Sequence, residues 1–165
     1  MTRRRFALDH NFPSPILDAL AEVLPMAELV PVREIDRTWA ELDDWELLSA
    51  LAAHERGWDG LITNDEAMLS LPKEMTVLDQ TGLTLVVAKG EGHNPVRAVG
   101  TLLCHLSHVC HQTTPGTAQI WRLSVAQRKP ESAYEYLERI AARSKTTVAK
   151  LVVEHKVRDL GRSRT

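Results

Sequence analysis

Short runs of strand character alternate along this chain with segments of helical periodicity, and that alternation restricts the fold more than any single residue does. The runs cover residues 5–8, 28–32, 60–63, 75–78, 83–88 and 118–125. Between them, apolar residues recur at helical spacing: Ile16, Leu17, Leu20, Val23 and Leu24; then Leu47, Leu48, Leu51 and Ala52; then Val96, Val99, Leu102, Leu103, Leu106 and Val109. Strands that alternate with helices predict a mostly parallel central sheet covered on both faces, a three-layer α/β/α fold.

Local signals place the boundaries. Asn11-Phe-Pro-Ser-Pro15 carries helix-start signals, and Pro25 closes the first helix. Pro31 puts the second strand near an edge, because proline cannot donate to a ladder. Residues 33–42 read as polar and irregular. Asp43 or Asp44 caps the next helix; Asp44 is preferred because it turns Leu47 and Leu48 inward, and Gly57 is the natural stop. Gly82 separates the runs 75–78 and 83–88, residues 90–92 form a loop, and residues 113–116 form a turn. The chain of 165 residues suits one domain and a small appendage. We place an α/β domain over residues 1–128 and a basic helical extension over 129–165, with helices at 132–143 and 147–160.

The net charge of −2 conceals an asymmetry. Through Trp121 there are nine Lys and Arg against seventeen Asp and Glu, a net −8, and from Arg122 onward eleven against five, a net +6. A basic tail on an acidic body suits contact with nucleic acid, and equally a solvated helical surface that docks on the body. No apolar run approaches the roughly 18–20 residues of a membrane span. The opening MTRRRFALDHN lacks the apolar core of a secretory signal. Cys104 and Cys110 point to different faces of one helical segment, which argues against a disulfide between them and for a reducing cytoplasm.

Acids close or open the elements at three places. Asp9 follows the first run, Asp65 follows the 60–63 run, and Asp44 opens an amphipathic segment. If the two runs are neighbouring parallel strands, their carboxyl ends share the crevice in which open α/β sheets bind ligands. Carboxylates gathered there repel one another unless a cation lies between them, and hard oxygen donors suit Mg²⁺ or Mn²⁺. The plainer reading is that Asp9 and Asp65 end strands as turn formers and that Asp44 only caps a helix.

These residues carry a resemblance. Phe6-Ala-Leu-Asp9-His-Asn11-Phe-Pro13 is similar to the LDxNxP opening of PIN-like nuclease domains, a class that includes many toxin ribonucleases. Asp44-Trp-Glu-Leu-Leu48, followed by Gly57 and Leu61-Ile-Thr63-Asn-Asp65, resembles the second half of that pattern, in which an Asp opens a helix and a strand ends in Thr-x-Asp. The likeness spans roughly residues 5–125, with its motifs within 5–68. It implies a three-layer α/β/α fold, Mg²⁺ or Mn²⁺, and hydrolysis of RNA phosphodiesters. On this chain it makes Asp9, Asp44 and Asp65 the catalytic acids that hold the metal. Thr63 becomes the hydroxyl that supports the last acid, and Asn11 orients groups behind the ligands, with Asp43 and His10 also supporting the site. The implied partners are RNA, an antitoxin protein and a second copy of the chain, whose pairing Trp39 and Trp45 could serve as exposed aromatics.

The chain departs from the pattern twice. A further Glu on a helix is expected between the first and third acids, but Glu34, Asp36 and Glu41 lack a helical frame there. The second acid expected two residues after Asp65 is Ala67, and the adjacent Glu66 stands in as a metal ligand. Both departures favour the alternative of a catalytically degenerate binding module.

Three further patterns compete. Cys104, His108 and His111 lie on one helical face and are zinc-ligating types, but a single helix is a poor frame for zinc, and Cys104 between leucines reads as a core residue. Lys89 after one strand and Asp65 after an earlier one evoke a phosphoacceptor receiver domain, which wants an acidic pair where this chain has Asp9-His10. Residues 118–160 follow the strand-helix-helix order of a ribbon-helix-helix DNA-binding module, although Tyr134, Leu137 and Ile140 can equally extend the core.

Overall fold

A computed structural model describes residues 3–10, 12, 17–89, 94–124 and 133–155. The chain divides into two compact units, 1–126 and 127–165.

Five strands build the first unit: β1 (Arg4–Leu8), β2 (Ala27–Pro31), β3 (Gly60–Thr63), β4 (Thr84–Lys89) and β5 (Gln119–Ser124). All pairings are parallel, in the order β2-β1-β3-β4-β5. Pro31 ends β2 at the edge of the sheet, where its missing N–H costs no ladder bond. The central strands are apolar on both sides, as a sheet covered on both faces requires. Phe6, Leu8, Ile62, Val86, Ala88 and Leu123 point to one face. There they meet Leu20 and Leu24, in and just beyond α1 (Leu17–Val23), and α5 (Pro95–Gln112) through Ala98, Val99, Leu102, Leu106 and Val109. Ala7, Leu61, Leu85 and Val87 point to the other face, against Leu47, Leu48 and Leu51 of α3 (Asp44–Ala53) and Leu78 of α4 (Pro72–Thr81). Each such leucine contributes roughly 1.5–3 kcal/mol through burial.

The steps β1→β2 and β4→β5 run in opposite directions across the sheet, yet α1 and α5 lie on one face. The β4–α5–β5 crossover therefore has the opposite hand to β1–α1–β2, an exception to a strong general preference. The eighteen-residue α5 shares that face with α1. The amino edge is tied by Arg4, whose guanidinium donates to Asp59 Oδ1 at 3.0 Å and to the Thr113 carbonyl just past α5 at 2.8 Å.

Several boundaries differ from expectation. Residues 75–78 are helical, in α4, not a strand. A four-residue apolar run cannot decide between helix and strand by period alone. The ends decide it here: Pro72 occupies the first turn, and Gly82 takes the left-handed C-cap at φ 67°. Residues 33–42 are ordered as α2 (Val32–Ile35) and a 3₁₀ turn (Arg37–Glu41) that Asp36 caps through the Thr38 amide. Helix α3 ends at Ala53, and Gly57 instead serves the following turn at φ 64°, donating to the His54 carbonyl at 3.0 Å. In α5, Val96 and Leu103 are exposed rather than part of the buried stripe.

In the second unit, α6 (Ala133–Arg143) and α7 (Val148–His155) are joined by a turn in which Lys145 is left-handed at φ 52° and the Thr146 amide reaches back to the Ala141 carbonyl at 2.9 Å. The strand that would open a ribbon-helix-helix pattern is β5, which pairs with β4 along all six residues as the last strand of the parallel sheet. Among the described residues no helix is long and apolar enough to cross a membrane.

Candidate functional site

From β1 the chain steps to one side of the sheet, and from β3 to the other. In this doubly wound order the switch point lies between β1 and β3, and the crevice beyond their carboxyl ends is the general ligand position. Asp9 directly follows β1, and Asn64-Asp65-Glu66 follow β3. The Asp9 amide donates to the Ile62 carbonyl at 2.9 Å, which carries the β1–β3 ladder one residue further and fixes Asp9 against the end of β3.

Side chains complete that join. Thr63 Oγ1 donates to Asp9 Oδ2 at 2.8 Å and accepts from the Asp65 amide at 3.0 Å, so one hydroxyl orients both strand-end acids. Asp9 is 4% exposed, and its Oδ1 accepts from the His10 amide at 2.7 Å and lies 2.7 Å from His10 Nδ1. Asp65 is exposed and turns one oxygen back to the Ala67 amide at 2.8 Å.

Helices α3 and α4 start at the same edge, on the side toward which Thr63 points. Asp43, not Asp44, is the N-cap of α3, its amide donating to Glu46 Oε2 at 3.0 Å in a capping box, and Asp44 is the first helical residue. In α4, Glu74 lies in the first turn and is 9% exposed. The N-terminal ends of both helix dipoles therefore face the crevice and favour negative charge there. Burial, followed by the charges of Asp9, Asp65 and Glu74, pushes the Asp44 carboxyl above the ordinary carboxylate range, while His10 pulls it back. Asp9, Asp44, Asp65 and Glu74 thus form one electrostatic group.

The rim carries the opposite sign. Arg122 of β5 contacts Glu66 at 3.0 Å, and the Lys73 ammonium lies 3.4 Å from the centre of the Trp45 ring. The donor set fits a hard divalent cation by chemistry, since it is all carboxylate, and by charge, since a cation would relieve the strain on Asp44. Among the described residues, no three His, Cys, Asp or Glu side chains converge closely enough to hold one ion. Both oxygens of Asp9 already accept hydrogen bonds.

The expected residues fall into groups. Asp9, Thr63, Asp65 and Asp44 come together, and Asp43 stands at their border as the cap of α3. His10 is a turn residue that holds Asp9. Glu66 is drawn toward Arg122. Asn11 lies outside the described residues. Glu34, Asp36 and Glu41 are exposed, and the acid that completes the group is Glu74, which a strand over 75–78 had hidden; its signal was the Pro72 and Gly82 pair that brackets α4. Cys104 is exposed, not a core residue. The buried cysteine is Cys110, whose thiol burial pushes up to about 11. Trp39 and Trp45 are half-buried rather than exposed.

The fold and site define a doubly wound parallel α/β domain with an acidic crevice at its switch point. No family model, curated protein or solved structure matches the chain.

Proposed function

We propose that this chain is a metal-dependent endoribonuclease of PIN-like type that hydrolyses RNA phosphodiesters at the switch-point crevice. The observation that carries the reading is the joining of two strand-end acids at the switch point, where Thr63 Oγ1 donates to Asp9 Oδ2 at 2.8 Å and accepts from the Asp65 amide at 3.0 Å, beside Asp44, whose carboxyl is raised by burial and by the neighbouring acids. Asp9, Asp44, Asp65 and Glu74 would have to draw closer than they stand in order to hold Mg²⁺ or Mn²⁺, which would supply an activated water and neutralise the phosphoryl charge. Thr63 holds Asp9 and the Asp65 backbone in register. Lys73 and Arg122 at the rim offset the repulsion between the acids and an incoming phosphate. The reading brings with it an antitoxin protein as inhibitor, a second copy of the chain as partner, and a reducing cytoplasm in which Cys104 and Cys110 remain thiols.

The test is incubation of the pure protein with a mixed RNA pool and Mn²⁺, with and without chelator. The parent cleaves, chelator stops it, and Asp9→Asn and Asp65→Asn each lower the rate by at least about 100-fold, with Thr63→Val lowering it by roughly 10- to 100-fold. Cleavage that survives both Asp substitutions, or no cleavage by the parent, ends the nuclease reading. The spread of the carboxylates favours a second reading, a PIN-like binding module without catalysis. Its signature is RNA retained by the parent and never cut.

A further inference from the structure

Three of the four tryptophans pack with a core: Trp58 is buried, and Trp39 and Trp121 are partly buried against one. Trp58 and Trp39 pack with the α3–α4 face, and Trp121 with the α1–α5 face. Trp45 belongs to neither core. It sits half-buried in the first turn of α3, directly after Asp44. The ammonium over its ring comes from Lys73, an exposed residue in the first turn of α4 and directly before Glu74. A large aromatic ring thus stands beside the acidic crevice, outside either core, with a long, rotatable side chain on its face.

We propose that Trp45 and Lys73 form a subsite for one unpaired nucleotide, with the base stacked on the indole and the ammonium moved from the ring to the adjoining phosphate. The inference rests on reading the crevice as a nucleic-acid phosphodiester site, and it names the substrate class as single-stranded. Every base has a π-face, so stacking on an aromatic side chain tolerates any sequence, but it requires a base whose faces are not already covered within a duplex. An exposed cation–π contact is weaker than a base–aromatic stack, so the base displaces Lys73. The displaced ammonium gains a phosphate, a stronger partner than the ring it leaves. The position suits this role, because Trp45 and Lys73 lie in the first turns of α3 and α4, the two helix starts at the crevice edge.

Fluorescence anisotropy in Ca²⁺ reads the subsite without relying on cleavage. The probes are a labelled single-stranded RNA oligonucleotide, an abasic strand of equal length, and the matching duplex. The parent prefers the base-bearing single strand over the abasic strand and over the duplex by roughly 5- to 150-fold, the span of one base–aromatic stack. Trp45→Ala abolishes that preference, and Trp45→Phe keeps most of it. Lys73→Met weakens base-bearing and abasic strands alike and lowers the salt slope by about one. Equal affinity of the parent for base-bearing and abasic strands overturns the proposal. So does Trp45→Ala that melts at a lower temperature yet keeps the parent's preference, since Trp45 and Lys73 would then only clasp α3 to α4. A parent that binds no nucleic acid overturns it as well. Cleavage in Mn²⁺ without this preference removes the subsite and leaves the nuclease reading standing; the preference without cleavage does the reverse.

Discussion

Asp44 is where the charge of the crevice can be measured. Its carboxyl is raised in the folded protein, so the folded state holds that proton more tightly than the unfolded chain does. Its contribution to stability is therefore full below the ordinary carboxylate range and is lost as pH rises through the raised value. At neutral pH the folded protein carries the cost of a half-buried charge, to which the neighbouring acids add repulsion. In chelator, Asp44→Asn is expected to raise the melting temperature by a few degrees at neutral pH, with the gap to the parent closing on acidification. Mn²⁺ added at neutral pH stabilises the parent more than the variant. A variant that melts below the parent at neutral pH in chelator would show that neither burial nor the neighbouring acids disfavour the Asp44 charge. Asp9 and Thr63 could be found in the sequence because each marks a strand end. Glu74 was legible only through Pro72 and Gly82, because its place depends on whether residues 72–81 are helix or strand.

Among the elements, β3 is the one that tolerates least. A Cβ on Gly60 would lie 1.8 Å from the Thr84 carbonyl oxygen, a backbone atom of the neighbouring strand that cannot yield without parting β3 from β4. Gly60→Ala is expected to cost about 3 kcal/mol in denaturant unfolding, and to loosen the crevice because Thr63 lies on the same strand. A loss well under 1 kcal/mol would mean that the two strands are less closely apposed. Local signals read most of the elements correctly: the strand at 60–63 and the helix from Pro95 needed only short-range pattern and capping. They misread α4, where a short apolar run outweighed a proline and a glycine at its ends, and Gly57, which suits a turn as well as a helix stop.

At the scale of the molecule, both core clusters of the described residues lie between Phe6 and Leu123. A chain ended after Ala126 is therefore expected to keep a single cooperative melt followed by circular dichroism. It also loses nearly all of the basic excess that begins at Arg122, so its affinity for RNA should fall, with a shallower dependence on salt. Loss of cooperativity on truncation would mean that the α/β unit needs the tail in order to fold.

The sequence by itself determined what short-range physics controls: the two-sided apolar strands, the proline that sends β2 to an edge, and the acids at the ends of β1 and β3. Only the tertiary structure decided which of those ends adjoin. Thr63 and Asp9 meet across 54 residues of chain, and Glu74 reaches Asp44 because α3 and α4 cover the same face. Strand order and the face each helix covers are set by burying apolar surface between segments far apart in sequence, and such contacts leave no periodic trace in the segments themselves.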